Sequence, residues 1–236
     1  MNDDYFSEAG ILREQDRKIL RKFYRDNYLQ YGHDIKSLGW LEGTQEARFT
    51  VLTSIGDLDG SSILDVGCGF ADLYGFLRDR GISVDYTGID LNPEFIEIAK
   101  SRYPDARFIV GDFEETKIPG RFDWAFECGI FNLKVHEHRP FVENTLRKMF
   151  KMASKGIAAD FLSPASYDLT GEMYHPDPLE MVRYCNRLSK RVVLRCDYKP
   201  TEFCVYVYKD TDVGVMSAFR GFGSALKDLT TEKDYR

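Results

Sequence analysis

The chain carries five cysteines, and no two of them form a Cys-x-x-Cys pair. Cys68, Cys128, Cys185, Cys196 and Cys204 are scattered and odd in number. They read as free thiols in a reducing compartment rather than as a disulfide framework. No stretch reaches about 18 uninterrupted apolar residues, so no membrane-spanning helix is expected. The opening Met1-Asn2-Asp3-Asp4-Tyr5 lacks the basic and apolar regions of a secretory leader. A cytoplasmic location with no membrane partner is the resulting expectation. Positive charge is also short: 32 Lys and Arg stand against 38 Asp and Glu, a net charge of −6. Neutralising phosphates needs a basic surface, so this balance weighs against nucleic acid as a partner. Internal repeats and low-complexity runs are missing too. Histidine is sparse, four in all, and none of the familiar zinc spacings occurs, so no metal is assigned.

What is present is an apolar fraction of 43% over 236 residues, enough for one globular domain with an added cap. The 17 Phe and 14 Tyr belong mostly to packing, with a few left to line an organic pocket. The organising stretch is Ser62-Ile63-Leu64-Asp65-Val66-Gly67-Cys68-Gly69-Phe70-Ala71-Asp72-Leu73. A short apolar run with an acid inside it breaks at two glycines and re-enters a helical pattern. That is how a buried parallel strand looks when it ends in a tight turn and feeds a helix. Open α/β sheets bind nucleotide-like ligands at such a corner.

Residues 1–60 precede the first strand and read as a helical cap. A charged helix is expected over 8–30, with Ile11, Ile19, Leu20, Phe23 and Tyr24 near one face. A second helix is expected from Thr44, as N-cap, to Ile55-Gly56. Beyond residue 61 strands and helices alternate. Strands are expected at 62–66, 86–91, 107–111, 122–127, 156–161, 191–195 and 202–208. Helices are expected at 71–80, from Asn92-Pro93 to Arg102, at 139–153 and at 177–188. The last two strands are joined by too short a loop for a parallel crossover, so they should be antiparallel. The expected fold is α/β: a Rossmann-like seven-stranded, mostly parallel sheet with an antiparallel C-terminal hairpin and an N-terminal helical cap. Residues 61–210 form the main domain and 211–236 a tail.

Successive strand ends carry an acid in register with the glycine turn: Asp65 and Gly67-Cys68-Gly69, then Asp90-Leu91, then Asp112-Phe113, then Glu127-Cys128. Over about residues 60–210 this order resembles the class I S-adenosylmethionine-dependent methyltransferases. Ile63 to Gly69 is similar to that family's first motif, Gly88 to Pro93 to its second, Gly111-Asp112-Phe113 to its third, and Phe122-Asp123 with Glu127-Cys128-Gly129 to its fourth. The resemblance implies S-adenosylmethionine as cofactor, held by Asp65, Gly67, Cys68, Gly69, Asp90, Leu91, Asp112, Phe113 and Glu127. Asp90 suits the ribose hydroxyls, Asp112 the adenine amino group, and Phe113 the ring face. Asp65 suits the methionyl ammonium. Asp90 read as an acid offsetting a helix dipole is the plainer alternative, as is Asp112 read as a loop acid. A dinucleotide site is disfavoured, because Asp72 stands where G-x-G-x-x-G needs its last glycine, and a carboxylate repels a pyrophosphate.

The acceptor is less legible. After the fourth strand comes Glu127-Cys128-Gly129-Ile130-Phe131-Asn132, not the Asn/Asp-Pro-Pro-aromatic run of family members that methylate exocyclic or amide nitrogens. His136 and His138 are the candidate general bases. Tyr31 and Trp40 from the cap, with Tyr167, Tyr174 and His175 after the fifth strand, are the candidate substrate contacts. Arg48 is a candidate clamp for a carboxylate of cofactor or substrate, or else a surface partner of Glu42 or Glu46. The expected reaction is in-line methyl transfer to an O or N atom of a small-molecule acceptor. A non-catalytic cofactor-binding module and a nucleic-acid methyltransferase are the alternatives. Oligomeric state is left open.

Overall fold

The computed structural model describes residues 12–40, 43–166 and 171–210. The strands are β1 (Ser62–Val66), β2 (Asp85–Asp90), β3 (Arg107–Val110), β4 (Phe122–Glu127), β5 (Ala153–Leu162), β6 (Val192–Arg195) and β7 (Glu202–Tyr208). The helices are α1 (Glu14–Tyr31), α2 (Thr44–Thr53), α3 (Asp72–Asp79), α4 (Pro93–Arg102), α5 (His138–Met152) and α6 (Pro178–Leu188). A short 3-10 turn at Ile35–Leu38 joins α1 to α2 and lies outside the sequence-based expectation.

All seven strands form one sheet, in the order β3-β2-β1-β4-β5-β7-β6. Pairing is parallel from β3 to β5 and antiparallel where β7 meets β5 and β6. The hairpin is as expected, with the last strand inserted between its two predecessors. Strand order reverses direction between β1 and β4. Their carboxyl ends therefore open a crevice where the crossovers leave on opposite faces.

Alternation along each strand splits the core into two apolar layers. Leu64, Val66, Ile89, Ala125, Ile157 and Phe203 pack with α5 and α6 residues such as Val142, Leu146 and Met181. Ile63, Tyr86, Trp124, Phe126 and Tyr206 pack on the other face with Leu52, Leu73, Leu77 and Ile96. β5 begins three residues earlier than its apolar run suggested. Its polar first turn, Ala153 to Lys155, still ladders onto Phe122.

Two cap expectations need correction. Ile19 is 54% exposed: it falls beside, not on, the buried face of α1. Thr44 is the first helical residue of α2, and the cap position is Gly43 in a left-handed conformation.

Helix α2 is fixed to the sheet by charge as well as by apolar contact. Arg48 is buried, and its Nε donates to Glu202 Oε2 at 2.6 Å. A second hydrogen bond joins Arg48 Nη2 to Glu202 Oε1. Asp160 Oδ1 lies 3.8 Å from Arg48 Nε, and Lys199 Nζ donates to Glu202 Oε1 at 2.7 Å. Removing one member of a buried pair leaves the other desolvated and uncompensated. Arg48→Ala should destabilise the protein by about 3–5 kcal/mol in urea unfolding. The double replacement Arg48→Met, Glu202→Leu should recover most of that loss.

Candidate active site

The turn after β1 follows from its residues. Gly67 and Gly69 both take positive φ, +73° and +53°. A Cβ on Gly67 would fall 2.0 Å from Ile130 Cγ2, so only glycine fits that position. Ala71 is also left-handed, at φ 61°, where a side chain larger than a methyl would be strained further. The N–H groups of Gly67 and Cys68 donate to Ile89 O at 2.8 and 3.1 Å, which ties the turn to β2.

Asp90 is the tie-point of the crevice. Its Oδ2 accepts from the Gly69 N–H at 2.9 Å. Its Oδ1 accepts from the Asn92 N–H at 2.8 Å and from Asn92 Nδ2 at 3.2 Å. Gly111 N–H donates to the Asp90 carbonyl at 2.9 Å. One residue thus connects the first turn, the start of α4 and the end of β3. Burial raises the Asp90 carboxyl above its ordinary range, and these N–H donors oppose that rise.

Asp65 lies deeper. Its carboxylate accepts from the Tyr86 hydroxyl. Burial pushes it up to about 7; the Tyr86 bond opposes the rise and the neighbouring Asp90 and Asp72 add to it. Asp72 accepts from Arg102 Nη1 at 2.6 Å and from Gln45 Nε2 at 3.3 Å. Asp112 accepts from the Glu114 N–H at 2.9 Å and from Arg17 Nη1 at 2.9 Å. Arg17 also donates to Glu115 Oε1 at 2.7 Å and to Glu14 Oε2 at 3.1 Å. Lys148 Nζ holds the loop behind Phe113, donating to the carbonyls of Phe113, Glu114 and Thr116.

These groups surround one cavity. Asp65, Gly67, Cys68, Gly69, Asp90, Leu91, Asp112, Phe113 and Trp40 all line it. Residues that the sequence did not single out as site residues join them: Leu20 and Tyr24 of α1, with Leu12 just before that helix, Leu38, Phe49, Ile130 and Phe141. The cap therefore roofs the crevice, and Arg17 pins the roof to Asp112. Arg17 was not foreseen because it is one of six basic residues between 13 and 25. Only its side-chain exposure of 14% sets it apart from the exposed Lys18 and Lys22.

The remaining candidates lie elsewhere. Arg48 stacks on Trp40, its guanidinium carbon 3.8 Å from the ring centre, and points its donors at Glu202, while Glu46 pairs with Arg80 and Glu42 lies outside the described residues. Glu127 is wholly buried, its Oε1 accepting from the Asp160 N–H at 2.8 Å. Burial raises its carboxyl well above the usual range. Tyr31 is exposed at the far end of α1. His136 is exposed and uses its backbone N–H on Asp16 Oδ1, 3.1 Å away. His138 is buried; its Nδ1 accepts from the Val135 N–H at 3.1 Å. Burial lowers His138 to about 4, so it is neutral near pH 7 with its proton on Nε2. Tyr174 packs on the His138 ring at 3.9 Å, and His175 follows it, outside the cavity wall. Tyr167 lies outside the described residues.

A doubly wound sheet with a glycine turn after β1, an acid ending β2 and an antiparallel β7 inserted beside β5 defines a Rossmann-like methyltransferase architecture. Comparison with known proteins agrees. The family model described as a methyltransferase domain matches residues 63–156. A Mycobacterium tuberculosis protein named as a methyltransferase is 32% identical over 161 residues, 64% of this chain and 95% of its own. Demethylmenaquinone methyltransferase of Thermotoga maritima is 26% identical over 170 residues, 71% of this chain and 69% of its own. The fold also matches magnesium protoporphyrin IX methyltransferase of Synechocystis PCC 6803, solved with bound SAH. There the TM-score is 0.60 at 13% identity, over 83% of this chain and 100% of that one. The chain belongs to the class I S-adenosylmethionine-dependent methyltransferases, enzymes that use S-adenosylmethionine as cofactor.

The raised Asp65 carboxyl has a stability consequence. Its folded value, about 7, exceeds the unfolded value of about 4. Between those values the unfolded chain ionises while the folded one does not. Stability is therefore complete below pH 4, falls as pH rises to 7, and stays reduced above it. Asp65→Asn removes that contribution. In thermal melts without ligand it should raise Tm over the parent at pH 8 and leave it unchanged at pH 4.

Proposed function

We propose that this protein methylates an O or N atom of a small-molecule acceptor inside the roofed cavity. The observation that carries this reading is the roof. Leu12, Leu20, Tyr24, Leu38 and Trp40 close over the carboxyl ends of β1 and β2. Such a roofed, largely apolar chamber suits a metabolite better than a chain-like acceptor. In this reading residues 61–210 supply the cofactor half and residues 1–60 the cap.

The cofactor fits the residues present. The cavity wall carries Asp65, Asp72, Asp90 and Asp112, and a cationic sulfonium is favoured in such surroundings. Asp90 would hold the ribose hydroxyls, Asp112 the adenine amino group, Phe113 and Leu91 the ring faces, and Asp65 the methionyl ammonium. Gly67, Gly69 and Cys68 would pass close to the methionyl chain. When bound, S-adenosylmethionine supplies an electrophilic methyl group that the acceptor atom takes by in-line attack. The chain's own contribution is alignment and exclusion of water: the glycine turn and Ile130 set the approach, and the roof closes it. Arg48 and Glu127 act one layer back, Arg48 by holding Trp40 flat against the chamber and Glu127 by fixing the start of the β5 exit through Asp160. Neutral His138, with Nδ1 already accepting, serves packing around Tyr174 rather than proton abstraction.

Asp90→Ala should abolish S-adenosylmethionine binding in calorimetry. Asp90→Asn, which keeps an acceptor for the Gly69 N–H, should weaken it at least about tenfold by loss of a charge-assisted bond. A thermal melt shows whether each variant is folded. A folded variant with parental affinity contradicts the assignment of Asp90.

A further inference from the structure

Resting on the methyltransferase reading of this cavity, we infer that Arg17 is a positioning residue for the cofactor. Its bond to Asp112 sets the carboxylate that would meet the adenine amino group, so selectivity for the base depends on the cap being in place.

The two halves of α1 are fastened by different forces. The carboxyl half packs through aromatic rings. Tyr24 and Tyr28 lie edge-on to Phe95 of α4, with ring centres 6.3 and 6.0 Å apart. Tyr28 also reaches Phe70, just after the glycine turn. The amino half is held by polar contacts to the loops that follow β3 and β4. Arg13 meets Glu137 at 3.4 Å, but both side chains are exposed, and such pairs contribute little. Asp16 Oδ1 accepts from the His136 N–H, yet Asp16 is buried and its Oδ2 has no hydrogen-bond partner among the described residues. An unmatched buried oxygen offsets what the other bond contributes. Arg17 differs from both. It pairs with Asp112 at 2.9 Å, and both side chains are shielded from water.

Asp112 needs such a partner to be held in one orientation. Its Oδ1 accepts from the Glu114 N–H, a local bond that leaves the other oxygen unfixed. Arg17 Nη1 takes that other oxygen, Oδ2. Two donors on opposite oxygens fix the plane of the carboxylate. An ionised carboxylate offers about four lone-pair sites, so acceptor capacity remains for a donor from the cavity that Asp112 lines. Arg17 is itself held from the side, by Glu115 Oε1 and by Glu14 Oε2 one turn earlier on α1. The planar guanidinium can serve all three acids at once, which a lysine ammonium does less well. The base is thus read by a carboxylate of one loop whose aim is set by an arginine of the cap.

The test uses the full chain and two ligands measured by calorimetry. One is S-adenosylhomocysteine. The other is its 6-deamino analogue, in which hydrogen replaces the adenine amino group. The parent should prefer S-adenosylhomocysteine by at least about tenfold. In Arg17→Met that preference should shrink to about threefold or less, because the loss falls on the ligand that carries the amino group. Arg17→Lys keeps the charge without the fork, and its preference should lie between the two. A thermal melt shows whether each variant is folded, and if Arg17→Met is not, Arg17→Lys against the parent carries the test. A role in stability alone would weaken both ligands by the same factor, so a folded variant with the parental preference overturns the inference. A parent that does not distinguish the two ligands overturns it as well. Failure of S-adenosylhomocysteine to bind the parent overturns the methyltransferase reading instead.

Discussion

Asp90 holds a carboxylate away from water at the point where three strand ends meet. The Gly69 and Asn92 N–H groups turn toward it, and its own carbonyl receives Gly111. A buried carboxylate is tolerated only with such donors around it. The geometry of the glycine turn, the entry of α4 and the loop after β3 therefore follow from one demand. Without that acid the Gly69 N–H would be buried unmatched, and the turn would have no reason to keep its left-handed residues. The same group lies in the cavity wall, so the feature that organises the corner also faces the cavity.

The cap repeats this logic at longer range. Arg17 crosses from α1 to Asp112, and Arg48 crosses from α2 to Glu202 on β7. Each spans a sequence distance that no local rule predicts. Each also removes a cation from the cavity that it borders. Positive charge is plentiful in residues 13–25, yet the part that reaches inward is neutralised by the acids it anchors.

Much of the architecture was legible because it rests on short-range patterns. Apolar runs marked each strand of the sheet, and the glycines after β1 and Asn92-Pro93 marked the turn and the helix start. The strand-end acids were visible as a series in register. Legibility stopped where a side chain's role depends on its partner. Arg48 reads as a free clamp in the sequence because Glu202 lies 154 residues away. His138 reads as a base because only packing by Tyr174 and the Val135 N–H makes it neutral and engaged. The 3-10 turn at Ile35–Leu38 is set by Asp34, whose side chain accepts from the Lys36 N–H, a local cue too short to stand out.

The sequence by itself determined the order of strands and helices, the glycine turn and the acids at the strand ends that line the cavity. Those depend on backbone conformations and on alternation, which neighbouring residues dictate. The tertiary structure alone decided which cations are neutralised, which oxygen atoms are left without donors and that α1 roofs the cavity. Those outcomes are set by burial and by pairing across the chain, where a charge's effect depends on what desolvates it and what lies within reach.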